Sequence, residues 1–518
     1  MMNYRTTGLP TLLALVLLAG CAKPQEVGIA WLPAASNAEV DAAFARAKQE
    51  GKPALVYWGA AWCPPCNQLK ATLFNRADFI ERSRAFVPVY VDGDSAGAQK
   101  LGTRFNVRGY PTLLLFDPQG RELTRLPGEV DPQRYSELLT LGMNAQRPVK
   151  DVLAQAQAGG QGLTPNDWKL LAFYSWETDQ AQAVPEAGLA AMLKQLAQAC
   201  PPDQAETATR LMLKALAATD AKTATPDAAA LPKLLALLAD SARARRFMDV
   251  LTNSAAELVR AVSASGTPQR QQLLGAFDAA LVQLAADMSL SRADRLTALV
   301  ARVDLVRIDV PEAAAAKDQP PLPDALLAPL REHSARADRE ISDGYERQAV
   351  ITTAAYALAH AGLLDESDTL LKANLAKSHS PYYLMSELAA NAKRRGDSAA
   401  ALRWTEQAFD TSVGPATRLQ WGASYVGTLV ELAPRDEARI EKTVQQLWAL
   451  AEAQPDAFDG RSARSLQRVG QRLIGWNKAG DHQATLARLK AKLDALCEQL
   501  GSAAPQRAAC GAVFTPPA

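Results

Sequence analysis

At 518 residues the chain is too long for one ordinary hydrophobic core, and about two to four domains are expected. Its 56 Lys and Arg stand against 55 Asp and Glu, a formal charge of +1; this lacks the basic excess that phosphate binding needs and excludes nucleic acid as an expected partner. A hydrophobic share of 48% with only 6% aromatic residues points to interiors of Ala and Leu, the composition of packed helices.

Residues 1–20 have the layout of a signal peptide: Arg5, an apolar run over 11–19, then small residues. That run is about half the length a membrane-spanning helix needs. The ending Leu18-Ala19-Gly20-Cys21 resembles the bacterial lipoprotein box. The resemblance implies cleavage before Cys21, lipidation of its thiol, and a tether over 21–36. With Ala22 rather than an acidic residue next, it also implies transport to an outer membrane where the cell has one. An ordinary secretory peptide with an incidental cysteine is the alternative. No later stretch reaches spanning length without charges, so the rest is expected to be soluble and outside the cytoplasm, its cysteines in an oxidising compartment.

Over 37–147 helix and strand alternate. Asn37 can cap a helix with Val40, Phe44 and Ala47 on its apolar face, ending at Gly51. Leu55 to Trp58 reads as a buried strand, and Trp62-Cys63-Pro64-Pro65-Cys66 opens the next helix, whose first-turn amides have no helical partner for proline to remove. Further strands are expected over 86–91, 112–116 and 122–126, with helices over 100–105 and 132–141. The order, an initial helix followed by βαβαββα, defines one α/β domain with a central sheet flanked by helices.

This domain resembles thioredoxin. The residues that carry the resemblance are Trp62-Cys63-x-Pro65-Cys66, then Val107-Arg108-Gly109-Tyr110-Pro111-Thr112 and the apolar run to Phe116, then Gly128. More narrowly it is similar to the periplasmic thioredoxin-like domain at the C-terminus of the transmembrane disulfide reductases, through Gly51-Lys52-Pro53, Thr72-Leu73-Phe74 and Phe116-Asp117-Pro118-Gln119-Gly120. The resemblance implies a mixed sheet, a cis Pro111 lying against the cysteine pair, and a Tyr110 backbone that pairs with an incoming extended polypeptide. Trp62 is expected to shield one side of the loop, a purely packing role being its alternative. Two departures concern proton handling: the buried acid of thioredoxins is Tyr57 here, and the lysine expected near the second strand falls on Pro88.

The spacing of the two cysteines assigns their chemistry. At a helix N-terminus Cys63 lies on the first turn, expected exposed, and free amides and the helix dipole favour its thiolate. Cys66, a turn further in, resolves the mixed disulfide. Pro64 and Pro65 supply no amide donors, so only moderate thiolate stabilisation and a reducing or intermediate potential are expected. Zinc would need about four ligands, and no second cysteine pair or nearby histidine exists, the histidines being His333, His360, His379 and His482. Covalent haem would need histidine where Asn67 stands. No cofactor beyond the dithiol is therefore expected. A permanently oxidised structural bridge is the remaining alternative.

From 148 to the end the sequence has helical spacing and is divided at a proline cluster into a helical region over 148–320 and a second over 321–518. Helix-hairpin patterns centre on Ala361-Gly362 and on Arg395-Gly396-Asp397, and the two glycines stand 34 positions apart. That interval and the segment from Ala389 to Ala408 resemble the tetratricopeptide repeat, against a non-repeating helical domain as the alternative. Such stacked helices bind proteins more often than they do chemistry. Of the other cysteines, Cys497 and Cys510 are expected to form a local bridge and Cys200 to be left over, although Cys200 could pair with either. These features lead to an expected lipid-anchored thiol–disulfide oxidoreductase, reducing or isomerising disulfides of cysteine-containing envelope proteins, with a membrane thiol reductase as electron donor and the membrane as a further partner through the anchor. A disulfide-introducing oxidant and an interaction scaffold built on the helices are the alternatives.

Overall fold

The computed structural model describes residues 28–128, 131–179, 183–220, 224–310, 321–501 and 505–515. The signal peptide over 1–20, the lipidation of Cys21 and Pro320 of the proline cluster lie outside these residues.

Helix α1 (Asn37–Glu50) is capped by Ser36, one residue before the position read from sequence. The Ser36 hydroxyl accepts from the Glu39 amide, and the Glu39 carboxylate accepts from the Ser36 amide at 2.9 Å. This reciprocal pair satisfies two amides and wins over Asn37, whose side chain accepts from Arg104 instead. Gly51 ends the helix at φ 64°, a left-handed conformation that glycine adopts without a Cβ clash.

Strands β1 (Leu32–Pro33), β2 (Ala54–Gly59), β3 (Val87–Asp92), β4 (Thr112–Phe116) and β5 (Glu122–Leu126) form one mixed sheet in the order β1-β3-β2-β4-β5. The first three are mutually parallel, while β4 and β5 run antiparallel to their neighbours. β2 is central and buried throughout, so its sequence is a continuous apolar run rather than an alternation. Its even-numbered residues Val56 and Trp58 meet Val89, Val91, Leu114 and Phe116 on the α1 face. Its odd-numbered residues Leu55 and Tyr57 meet Leu113, Leu115 and Leu126 on the other face. There they pack against α2 (Pro64–Thr72), α3 (Ala77–Arg82) and α5 (Pro132–Met143), with α4 (Ala98–Arg104) opposite. The tether expected over 21–36 is already part of this fold where it is described: β1 pairs with β3, and Trp31 packs on Tyr57 and Phe74. A two-residue strand carries no periodicity that a sequence could reveal.

Beyond Met143 the described residues contain helices and turns and no strand. Three apolar clusters fill them, and none ends at an expected boundary. One joins Leu138 of α5 to Val149, Trp168 and Leu211 across position 147. The largest runs from Leu213 to Leu388 and continues across position 320. The third spans Tyr382 to Val513. The hairpins Gly344–His360 with Leu364–Asn374, and Pro381–Arg394 with Ser398–Thr411, turn at Gly362 and Gly396, both of positive φ. Cys497 and Cys510 are bridged, tying helix Gln483–Gln499 to Pro505–Gly511. Cys200 is a buried free thiol, its pKa pushed up to about 11 by burial and by Asp203.

Candidate functional site

The turn that leaves β2 at Gly59 delivers Cys63 to the N-cap of α2, with Pro64 and Pro65 in the first turn. Cys63 and Cys66 are disulfide-bonded, their Cα atoms 5.3 Å apart, and the Cys66 amide donates to Cys63 Sγ at 3.2 Å. That amide is one of the unpaired donors a helix start presents, here directed at the sulfur that would carry negative charge after reduction. Asn67 fixes the loop from behind by donating to the carbonyls of Ala61 at 2.7 Å and Cys63 at 2.8 Å. Facing the pair, the Tyr110–Pro111 peptide bond is cis, and the Tyr110 carbonyl oxygen lies 3.6 Å from Cys63 Sγ.

The expected exposure of Cys63 is not what the structure shows: Cys63 is 2% exposed and Cys66 0%. The helical region covers them. Helix Gly344–His360 lies along α2. His379 donates from Nε2 to the Ala61 carbonyl at 2.9 Å. Trp62 stacks on Tyr383 at 6.0 Å with the planes 15° apart and meets Trp421 at 6.0 Å. Gln68 of α2 donates to Asp294 at 2.9 Å. Trp62 therefore shields the loop as part of an aromatic cluster shared with distant helices.

Asp94, just after β3, is the hub of this cover. One carboxylate oxygen accepts from Trp62 Nε1 at 3.0 Å, and the other accepts from Thr417 Oγ1 and Arg461 Nη2, each at 2.6 Å. The Arg461 guanidinium lies over the rings of Trp62 at 5.0 Å and Tyr110 at 5.2 Å, a favourable cation–π arrangement. Gln99 adds a second tie, its amide donating to Asp456 at 3.0 Å and its side-chain oxygen accepting from the Arg461 amide at 2.7 Å. No sequence signal links Asp94 to Arg461, which stand 367 positions apart.

On β2, Tyr57 is fully buried, and its hydroxyl has no hydrogen-bond partner among the described residues. Desolvation, reinforced by Tyr90 and Asp92, raises its pKa well above the ordinary tyrosine value. It is a neutral filler where thioredoxins carry an acid. Pro88 sits in β3 opposite Leu55 and leaves no cation there. Two titratable groups that sequence reasoning missed lie nearby instead. Burial raises the Asp92 carboxyl at the end of β3, and burial lowers Lys70, whose ammonium lies 5.1 Å from the ring centre of Tyr345 and 5.5 Å from that of Tyr90.

A cavity of about 350 Å³ borders the cis peptide. Pro65, Tyr110, Pro111 and Gly128 line one wall, and Lys214, Asp249 and Asn253 of the helical region face them. Among the described residues no cluster of three His, Cys, Asp or Glu could hold a metal ion. A dithiol carries its own two electrons, so its chemistry needs no cofactor.

A mixed sheet with a Cys-x-x-Cys pair at the head of α2 and a facing cis proline makes the N-terminal unit a thioredoxin-like domain, and residues 40–142 match the family described as Thioredoxin-like domain. Thiol:disulfide interchange protein DsbD 1 of Pseudomonas aeruginosa is 34% identical over 113 residues, 21% of this chain and 19% of that protein. Thiol:disulfide interchange protein DsbD of Yersinia pestis is 32% identical over 112 residues, 21% of this chain and 18% of that one. Thioredoxin O1 of Arabidopsis thaliana, solved in the oxidised state, is 23% identical, with a TM-score of 0.18, over 21% of this chain and 95% of that one. The matched segment thus spans about a fifth of the length of these curated relatives.

Proposed function

We propose that this chain is an extracytoplasmic, lipid-anchored thiol–disulfide oxidoreductase that reduces or exchanges disulfides of envelope proteins through Cys63 and Cys66. The observation that carries this reading is a pair of sulfurs within bonding distance at a helix N-terminus, one of them 3.6 Å from the carbonyl of a cis Tyr110–Pro111 peptide. A dithiol donor, such as a membrane thiol reductase, first reduces the pair and becomes a disulfide itself. The Cys63 thiolate then attacks one sulfur of the client disulfide and expels the other client sulfur as thiolate. Cys66, deprotonated in turn, attacks Cys63 Sγ and releases the second client thiolate. The client gains two electrons and two protons, and the Cys63–Cys66 bond re-forms. Once the cover of Tyr383, Trp421 and Arg461 is drawn back, the client lies against Trp62, Tyr110 and Pro111, and the oxidoreductase itself is anchored by the lipid on Cys21. No helix among the described residues is long and apolar enough to cross a membrane.

Burial of Cys63 favours a second reading, an interaction scaffold in which the thioredoxin-like domain serves as a docking module. Substitution of Cys66 by serine separates the two. An exchange enzyme is expected to accumulate Cys63-linked mixed disulfides with envelope proteins, visible as adducts that collapse on reduction. A scaffold yields no such adducts, and its double Cys63→Ser, Cys66→Ser variant supports the same phenotype as wild type.

A further inference from the structure

Helix Gly460–Trp476 brings more positive charge to the loop of Arg108 and Tyr110 than paired carboxylates neutralise. Positions 461, 464 and 468 recur at helical spacing, so their side chains leave the helix on one face. On that face Arg461 covers the rings of Trp62 and Tyr110. Arg464 Nη2 donates to the carbonyl of Arg108 at 2.9 Å, two residues before Tyr110, and Arg468 donates to Ser465 at 3.0 Å. Arg461 has its carboxylate in Asp94. Among the described residues no carboxylate pairs with Arg108, Arg464 or Arg468. Burial lowers the pKa of Arg464, and Arg108, Arg468 and Arg461 lower it further.

Like charges gathered beside a covered surface oppose folding, and neutral side chains at these positions would relieve the repulsion. The cluster gains a favourable partner only when an anion arrives. Arg108 and Arg468 are exposed, Arg464 is half-buried, and Gly109 beside them is open to solvent, so an anion can reach them next to the loop whose carbonyl faces Cys63. Arg464 and Arg468 are about 6 Å apart along the helix axis, close to the roughly 7 Å between alternate side chains of an extended chain.

We propose that Arg108, Arg464 and Arg468 receive carboxylates that flank the substrate's disulfide, so that the dithiol acts preferentially on acidic extended polypeptide segments. This rests on the exchange chemistry proposed above and names the substrate class of that same site. Charge complementarity of this kind selects partners and speeds encounter.

The test uses the reduced full-length protein and three disulfide-linked peptides that differ only at alternate positions around the cysteine, carrying Asp, Ser or Lys. The single-turnover rate of Cys63–Cys66 oxidation is expected to be about tenfold faster with the Asp peptide than with the Ser peptide, and slowest with the Lys peptide. That preference is expected to shrink with added salt. In Arg464→Gln, Arg468→Gln the Asp-to-Ser ratio falls toward one, and the exposed-site variant Arg468→Gln alone lowers it part of the way, its thermal midpoint not falling. Equal wild-type rates for Asp and Ser, or an unchanged ratio in the variants, would overturn the proposal. Oxidised glutathione outpacing the Asp peptide in an arginine-dependent manner would overturn the polypeptide assignment. Failure to react with any of these disulfides would instead strike at the exchange chemistry itself.

Discussion

Cys63→Ser is expected to lower disulfide exchange by about three orders of magnitude or more, because no other thiol among the described residues is placed to attack. Cys66 is fully buried, with its amide directed at Cys63, and the free cysteine among the described residues, Cys200, is buried in another cluster. Loss of a nucleophile removes the covalent step altogether, whereas loss of a neighbouring group only slows it. The check is the rate at which the reduced protein reduces a disulfide client, followed by client thiol release, with circular dichroism showing that the variant is folded. Retention of more than a tenth of wild-type activity would mean that the chemistry lies elsewhere.

Asp94→Ala is expected to have the second large effect, with two readouts. Arg461 and Asp94 are only 10% and 12% exposed, so removing the carboxylate strands a buried guanidinium and leaves Trp62 and Thr417 without their acceptor. Breaking such a pair costs about 3 kcal/mol, measured as a lower midpoint of chemical unfolding. The same change loosens the cover, so the reduced variant is expected to be alkylated at Cys63 faster than wild type. Unaltered alkylation together with lost stability would show that the cover is held by the apolar contacts of Tyr383 and Trp421 rather than by the Asp94 hub.

The thioredoxin-like domain is legible in the sequence because its signals are local. A strand buried on both faces reads as the apolar runs Leu55 to Trp58 and 112–116, and a helix start that tolerates Pro64 and Pro65 fixes where the cysteines sit. The cis state of Pro111 was expected through resemblance, not from composition or spacing. The missed features are of another kind. Periodicity reveals which face of a helix is apolar but not what lies against it, so Tyr383 and Trp421 read as ordinary helix residues rather than as the cover of Trp62. Arg461, Arg464 and Arg468 read as a polar helix face, and only the tertiary fold turns that face toward Tyr110. The expected exposure of Cys63 rests on its place at a helix start, which carries no information about what the distant helices lay over it.

Whether the covered pair is a working dithiol or a permanent brace is settled by equilibrating the native full-length protein across a series of reduced and oxidised glutathione and trapping its thiols. A reversible two-electron transition of Cys63 and Cys66 at a reducing or intermediate potential is expected, while Cys497 and Cys510 stay bridged. A pair that remains oxidised across the series until the protein is unfolded would contradict the proposal.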